Sequence, residues 1–393
     1  MKQGWEIKKL GEVCAFQRGL TYSKDDEVEH SNNCVLRSNN IDLDSMSIVL
    51  DELKYINDDF AVSEDKKVKP NTILICMSNG SKQHIGKVAF IDKEYGYAFG
   101  GFMGLIRPNA EVSPKFIYYS CISSSYKHFL AGIGNGANIT NLKFSDLQQY
   151  TLPVPSREEQ ERIVAELDCL SGVIEKKREQ FKQLDALAQS IFYQMFGDPI
   201  TNEKGWEVKK MGEEFEVSSG GTPDTKNPSY WDNGDISWIG SNMCQNEIIY
   251  QNDGKYITAD GLSHSSAKEY HNGYVLVALV GATIGKVALL KFMTTTNQNI
   301  AGINVPANKE YTSEYVFYLM QNLYNLFREV GGDKFKMANL SFVRSLPMPK
   351  PSYTLQQQFA DKIEAIEKQK ELIKQSITQT EELFNSRMNY YFN

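Results

Sequence analysis

The sequence predicts an α+β protein in which two tandem-repeat globular domains are separated by a pair of long antiparallel coiled-coil helices. Three observations predict it. The chain repeats itself: GWEIKKLGE at 4–12 returns as GWEVKKMGE at 205–213, a shift of 201 (205 − 4). Two heptad-patterned stretches follow the two copies. Within each copy, short β-type runs mix with aromatic-rich helical signals. The repeat carries further matches in order. Gly19 and Thr21 answer to Gly220 and Thr222, and Asn40 to Asn242. IGKVA at 85–89 answers to 284–288, PKFIYY at 114–119 to SEYVFY at 313–318, and Asn141-Leu142 to Asn339-Leu340. The slowly drifting shift is that of an old duplication with small loop insertions.

The first globular domain is expected over 1–153. TILICMS at 72–78 reads as a buried strand, followed by a Gly-containing turn and a second strand, KVAFI. PKFIYYSCISSSYKHFLAG at 114–132 reads as helical, its aromatic stripe facing the core. The first spacer helix is expected within 154–197, with Pro153 and Pro155 before it and Gly197-Asp198-Pro199 stopping it. Its seam is Ile163, Leu167, Leu170, Ile174, Phe181, Leu184, Ile191 and Met195, stepping by four and three with an interruption at Lys177. The second domain, 198–350, repeats the pattern with YVLVALV at 274–280, KVALL, and SEYVFYLMQNLYNLFREVG at 313–331. The second spacer helix, 351–393, has the seam Phe359, Ile363, Ile366, Ile373, Ile377, Phe384 and Tyr391, with Lys370, Thr380 and Arg387 as polar interruptions. A seam this long needs a facing helix, and the duplication supplies one. The pseudosymmetry of a tandem repeat makes that pairing antiparallel.

Composition narrows the function. A hydrophobic share of 41% and a charged share of 23% are those of a soluble globular chain of 393 residues, long enough for two domains. No apolar run approaches the roughly 18 residues of a membrane span, and MKQGWEIKK lacks the apolar stretch of a secretory signal. Six cysteines without a CxxC pair, and five histidines without HxxxH spacing, argue against a metal site and for a reduced, cytoplasmic chain. The net charge of −7 is awkward for an autonomous nucleic-acid binder, which needs basic surface or a partner that supplies it.

Three motifs fail on their chemistry. Gly281-Ala282-Thr283-Ile284-Gly285-Lys286 has GxxxGK spacing rather than GxxxxGK, and Val287 stands where Ser or Thr would hold magnesium. A strand also follows it, so it reads as a hairpin turn. Asn227-Pro228-Ser229-Tyr230 looks like the catalytic motif of amino-methyltransferases. The nearest candidate for the required cofactor loop, Phe99-Gly100-Gly101-Phe102-Met103-Gly104, has the wrong spacing and lies in the other copy. No GxSxG or HExxH is present, so no catalytic residue is assigned.

The two GWE(I/V)KK(L/M)GE openings, GGTPDTKNPSYWDNGDISWI at 220–239, the IGKVA turns, LPVPSREEQERIVAELD at 152–168 and LFNSRM at 383–388 resemble the specificity (S) subunits of type I restriction-modification systems. The resemblance covers essentially the whole chain. The first copy departs at RGLTYSK, 18–24, which has no NPxYW. The resemblance implies that each copy is a target-recognition domain reading one half of a split double-stranded DNA sequence. It implies paired helices that fix the gap and dock methyltransferase (M) subunits, two of them, with restriction/translocase (R) subunits joining. S-adenosylmethionine, ATP and magnesium would then be used by partners, none by this chain. A recognition subunit of another methyltransferase-nuclease system, a self-contained DNA adenine methyltransferase using the NPSY motif, and a coiled-coil scaffold without a DNA role stand as alternatives.

Base readout requires Arg, Lys, Asn, Gln, Ser or Thr on loops that reach the grooves. The first copy offers Arg37, Ser38, Asn39 and Asn40, then Ser78, Asn79, Lys82, Gln83 and His84. The second offers Ser241, Asn242, Thr283 and the run Thr295, Thr296, Asn297, Gln298, Asn299. Lys87 and Lys286, at matching positions, and Lys334 and Lys336 are candidates for phosphate. Arg37 suits guanine; the Asn-Gln-Asn run suits adenine.

Overall fold

The computed structural model describes residues 4–133, 141–329 and 337–393, which divide into two compact units. The first takes in the chain up to Arg178 together with Gln375–Asn393; the second runs from Glu179 to Lys374. Each holds one globular copy and a segment of both long helices.

In the first unit an antiparallel sheet runs in the order Cys14–Arg18, Met103–Pro108, Thr72–Cys76, Val88–Ile91. The strand Thr72–Cys76, apolar from Ile73 on, is buried on both faces. Alternation along the strand sends Ile73 and Ile75 into a core shared with the helices, and Leu74 and Cys76 into a second core on the other face. Leu36 and Phe99 join that second core from a smaller sheet, where Asn33–Leu36 pairs in parallel with Ala98–Phe99. The second unit repeats the plan. Val275 and Val277 face one core, Leu276 and Ala278 the other, and Ile236–Ile239 pairs in parallel with Thr294–Thr296.

The aromatic helical runs are core, as their stripes predict: Phe116, Tyr119, Tyr126, Tyr315 and Phe317 are all buried. The run at 114–132 is two helices rather than one, Pro114–Ser120 and Ser124–Gly132. Ser123 breaks it, because its hydroxyl caps the second helix by accepting from the Tyr126 N–H at 3.2 Å.

The long helices are Arg157–Phe196 and Tyr353–Phe392, 40 residues each and so about 60 Å in length. They start a little inside the expected bounds of 154 and 351. Thr151–Val154 and Pro347–Lys350 are strands paired with Glu6–Lys9 and Glu207–Lys210. In each unit the two helix segments run antiparallel. In the first, Arg178 meets Glu381 at 2.7 Å, while Glu166 binds both Arg387 and the Tyr391 hydroxyl, the latter at 2.7 Å. In the second, Asp185 meets Lys370 at 2.8 Å, and Phe359 packs edge-on against Phe192 and Phe196.

The seam differs from its sequence reading at the helix ends. Ile163, Leu167, Ile174, Phe359, Ile363, Ile366 and Tyr391 are buried, and Leu170, Phe181, Leu184, Ile191, Met195, Ile373, Ile377 and Phe384 are half-buried. Phe192, Phe196, Met388 and Phe392, which the heptad count skips, are buried as deeply as any. There each helix docks on a globular copy, and contact on two sides widens the buried face beyond a two-in-seven seam. Lys370 is not an interruption but a buried seam member. It lies over the Phe181 ring at 4.9 Å. Burial opposes its charge, but hydrogen bonds to Asp185 and Glu367 hold its pKa above the ordinary lysine value.

One contact ties each long helix to its own copy. Gln160 is 1% exposed and Gln356 0% exposed. The Gln160 amide oxygen accepts from the Ser113 N–H at 2.7 Å, and its nitrogen donates to the Pro155 carbonyl at 2.9 Å. Gln356 does the same with the Thr312 N–H, at 3.1 Å, and the Pro351 carbonyl, at 3.0 Å. Each clamp joins the start of a long helix to the residue that caps Pro114–Ser120 or Ser313–Asn322. Gln160→Leu strands a buried donor and acceptor at about 1–3 kcal/mol each. We expect it to lower the urea midpoint of its own unit by an amount equivalent to about 3 kcal/mol, with Gln356→Leu doing the same to the other.

Candidate nucleic-acid interface

In each unit a strand of the smaller sheet leads straight into a 3-10 turn: Asn33–Leu36 into Ser38–Asn40, and Ile236–Ile239 into Ser241–Met243. The parallel neighbour of each strand ends in a second loop beside the first. Gly19 and Gly220 let a third segment press against the start of that second loop. A Cβ at Gly19 would lie 2.1 Å from the Gly100 carbonyl oxygen, and one at Gly220 would lie 2.2 Å from that of Thr296.

The strand registers match the copies residue by residue. Leu36 pairs with Phe99 and Ile239 with Thr296. Gly100 N–H donates to Leu36, and Asn297 N–H to Ile239. Met77 N–H donates to the Phe102 carbonyl, and Leu279 N–H to that of Asn299. Thus Asn39, not Asn40, is the counterpart of Asn242, and Gly100-Gly101-Phe102 is the counterpart of Asn297-Gln298-Asn299. Likewise Leu142 N–H donates to Met77 and Ala338 N–H to Leu279, so Asn141-Leu142 corresponds to Met337-Ala338, two residues before the match at Asn339-Leu340.

In the first unit these loops border a cleft of about 950 Å³ lined by Arg37, Ser38, Asn39, Ser78 and Asn79. Asn79 Nδ2 donates to Ser38 Oγ at 2.8 Å, joining the two predicted loops. Among the described residues, the buried Arg37 Nε has no hydrogen-bond partner. Arg18, Tyr22, Lys24 and Phe102 line the same cleft and were missed in the sequence. Burial raises the Tyr22 pKa, and nearby Glu27 adds to it while Arg37 opposes. The one available signal was the FGGFMG run, set aside above as a defective cofactor loop; it is the cleft wall.

The remaining predicted residues divide. Lys82 and Gln83 are exposed on the turn Lys82–His84, and His84 is half-buried, its pKa lowered by burial and by Lys87. Asn242 and Gln298 are exposed, and Ser241, Thr283, Lys286, Asn297 and Asn299 half-buried. Thr222 Oγ1 donates to Gln298 Oε1 at 2.7 Å, and Lys286 Nζ to Gln245 Oε1 at 2.7 Å. Lys334 and Lys336 lie outside the described residues.

Four assignments are corrected. Asn40 is buried, accepting from the Arg37 N–H at 2.9 Å and donating to the Val49 carbonyl at 3.0 Å, so its amide builds the turn. Lys87 is buried and donates to the Ile41 carbonyl at 2.6 Å; burial lowers its pKa, and no phosphate can reach it. Thr295 and Thr296 are fully buried in their strand, the Thr295 hydroxyl donating to the Ser237 carbonyl at 2.9 Å.

The loops exchange bulk between copies. Arg37 reaches across Gly100, with Cγ 4.0 Å from where a Cβ would stand; its counterpart Gly240 has Asn297 Nδ2 at 3.8 Å. In the first unit the Arg37 side chain reaches this crossing; in the second, Asn242 Oδ1, 2.6 Å from where a Gly240 Cβ would stand, shares it with Asn297.

The chain belongs to the family described as the type I restriction modification DNA specificity domain, whose model matches residues 2–184 and 203–382. It is 28% identical over 203 residues to the EcoKI specificity subunit of Escherichia coli K12, and 29% over 184 residues to the StySPI specificity subunit of Salmonella potsdam. These matches cover 52% and 47% of this chain, and 44% and 40% of those subunits. The chain therefore spans less than half the length of either relative. The fold is similar to the crystal structure of a type I restriction-modification S subunit from M. genitalium, with a TM-score of 0.58 at 14% identity, covering 100% of this chain and 98% of that one. No helix among the described residues is long and apolar enough to cross a membrane.

Gly19→Ala and Gly220→Ala force backbone apart at the crossing, which costs about 3 kcal/mol at the upper end of overpacking. Each should lower the thermal midpoint of its own unit and leave the other unit's transition in place, as read by calorimetry.

Proposed function

We propose that the chain is the DNA-recognition subunit of a type I restriction-modification complex, with each globular copy reading one half of a bipartite target. The observation that carries this is the repeated backbone frame with different chemistry on its loops. Two equal frames suit the repeating geometry of a duplex; unequal side chains suit two different half-sites. In the first half Arg37 donates to guanine, with Ser38, Asn39, Ser78 and Asn79 around it. In the second, Asn297, Gln298 and Asn242 pair with adenine. The chain performs no chemistry. Two methyltransferase subunits dock on the paired helices and restriction subunits join, and S-adenosylmethionine, ATP and magnesium belong to those partners. That division of labour fits a net charge of −7, since partners then contribute phosphate contacts.

The test is co-expression with the methyltransferase subunit in a methylation-free host, followed by genome-wide mapping of modified adenines. A split motif with a fixed gap is expected. Arg37→Ala should relax one position of one half, by about 1–3 kcal/mol of discrimination, and Gln298→Ala one position of the other. A stable complex that modifies no motif would sink the reading in favour of a scaffold.

The heptad seam makes the helices a ruler. Four residues inserted into both lengthen each by about 6 Å, so the gap should grow by one or two base pairs with the half-sites unchanged. An unchanged gap removes the helices from that role.

A further inference from the structure

We propose that Phe102 is a specificity-determining side chain that enters the base stack beside the half-site read by the first unit. The inference rests on the DNA-recognition reading and adds to it the kind of sequence favoured: a flexible pyrimidine–purine step.

Phe102 is 73% exposed, the highest exposure of any large hydrophobic side chain among the described residues. Its backbone is held firmly. The Phe102 carbonyl accepts from both Met77 N–H, at 2.9 Å, and Ser78 N–H, at 3.1 Å. The turn beneath it is closed by Met103 N–H donating to Gly100 at 2.8 Å. At Gly101 a Cβ would stand 3.3 Å from the Leu20 carbonyl oxygen, so the turn is pressed against the neighbouring loop. A rigid turn thus presents a bare ring to solvent in a cleft whose lining includes three cations, Arg18, Lys24 and Arg37, beside two carboxylates, Glu27 and Glu52.

This pairing of an apolar ring with flanking cations matches a bent duplex. The cations hold the phosphates on either side while the ring replaces the stacking lost at an opened step. Pyrimidine–purine steps open most cheaply, so they are favoured without any hydrogen bond to their edges. The second unit holds Asn299 in the same backbone position, its carbonyl accepting from Leu279 N–H at 2.8 Å. An amide there cannot replace stacking. The device therefore belongs to one half-site only, and the two halves differ in mechanism as well as in sequence.

The experiment uses the chain assembled with its methyltransferase subunit and a duplex carrying the mapped target, with 2-aminopurine placed in turn at each position in and beside the first half-site. The wild-type complex should brighten the probe at one step. Phe102→Ala should abolish that rise and weaken binding on the order of 10- to 100-fold, while Phe102→Leu keeps part of both. The second half of the modified motif should stay as it was. Binding and brightening unchanged in Phe102→Ala overturn the proposal. So does weakened binding with the brightening intact, which makes Phe102 a prop of the fold. A wild-type complex that recognises no split motif fails the underlying reading, and this one with it.

Discussion

The geometry of each unit depends on how its globular copy is joined to its long helix, and a buried glutamine makes that joint. A primary amide is the smallest side chain that can both accept and donate in fixed directions. Gln160 and Gln356 use both ends at once, seizing a helix-capping N–H on one side and the carbonyl of a proline five residues upstream on the other. Inside an apolar core such bonds tolerate little misalignment, because an unmade one leaves desolvated groups unpaired. The long helix therefore leaves each copy in one direction. Packing of Ile163 and Leu167, or of Phe359 and Ile363, then fills the space around a geometry already set.

Much of this was legible in the chain. The duplication, the strands buried on both faces and the middle of each seam follow from periodicity and from repeated strings. What was not legible depended on three-dimensional company. Asn39 and Asn40 are neighbours of the same type, yet one faces solvent and the other builds a turn; only the position of the 3-10 turn separates them. Lys87 looked like a phosphate contact because lysines are usually solvated, but here an ammonium replaces a backbone donor inside the fold. Phe192 fell outside a heptad count because the globular copy, through Tyr315, covers it as well as Phe359 of the facing helix. Gly100-Gly101 stood out as a run but did not say what it was for, since a glycine's meaning lies in what approaches it.

Divergence between the copies was confined by this scaffold. The strand pairs and the glycines at their crossings are steric necessities, and both copies keep them. Side chains facing outward at the crossing are free to change, but room for bulk there is limited. When Arg37 occupies it from one loop, the other supplies Gly100; when Asn242 and Asn297 share it, Gly240 leaves them the room. Such exchange changes the chemistry of the outward surface without disturbing the interior.

The first unit closes its core with residues from the far end of the chain: Phe384, Met388, Tyr391 and Phe392 pack with Leu10, Phe116 and Ile163. Contacts so distant in sequence form slowly, because a long loop must be closed before they repay its entropy. The second unit draws only on Glu179–Lys374, so its core closes without that last helical segment. The half of the protein that is translated earlier thus depends on the segment translated later, and without it carries an open apolar flank that invites association.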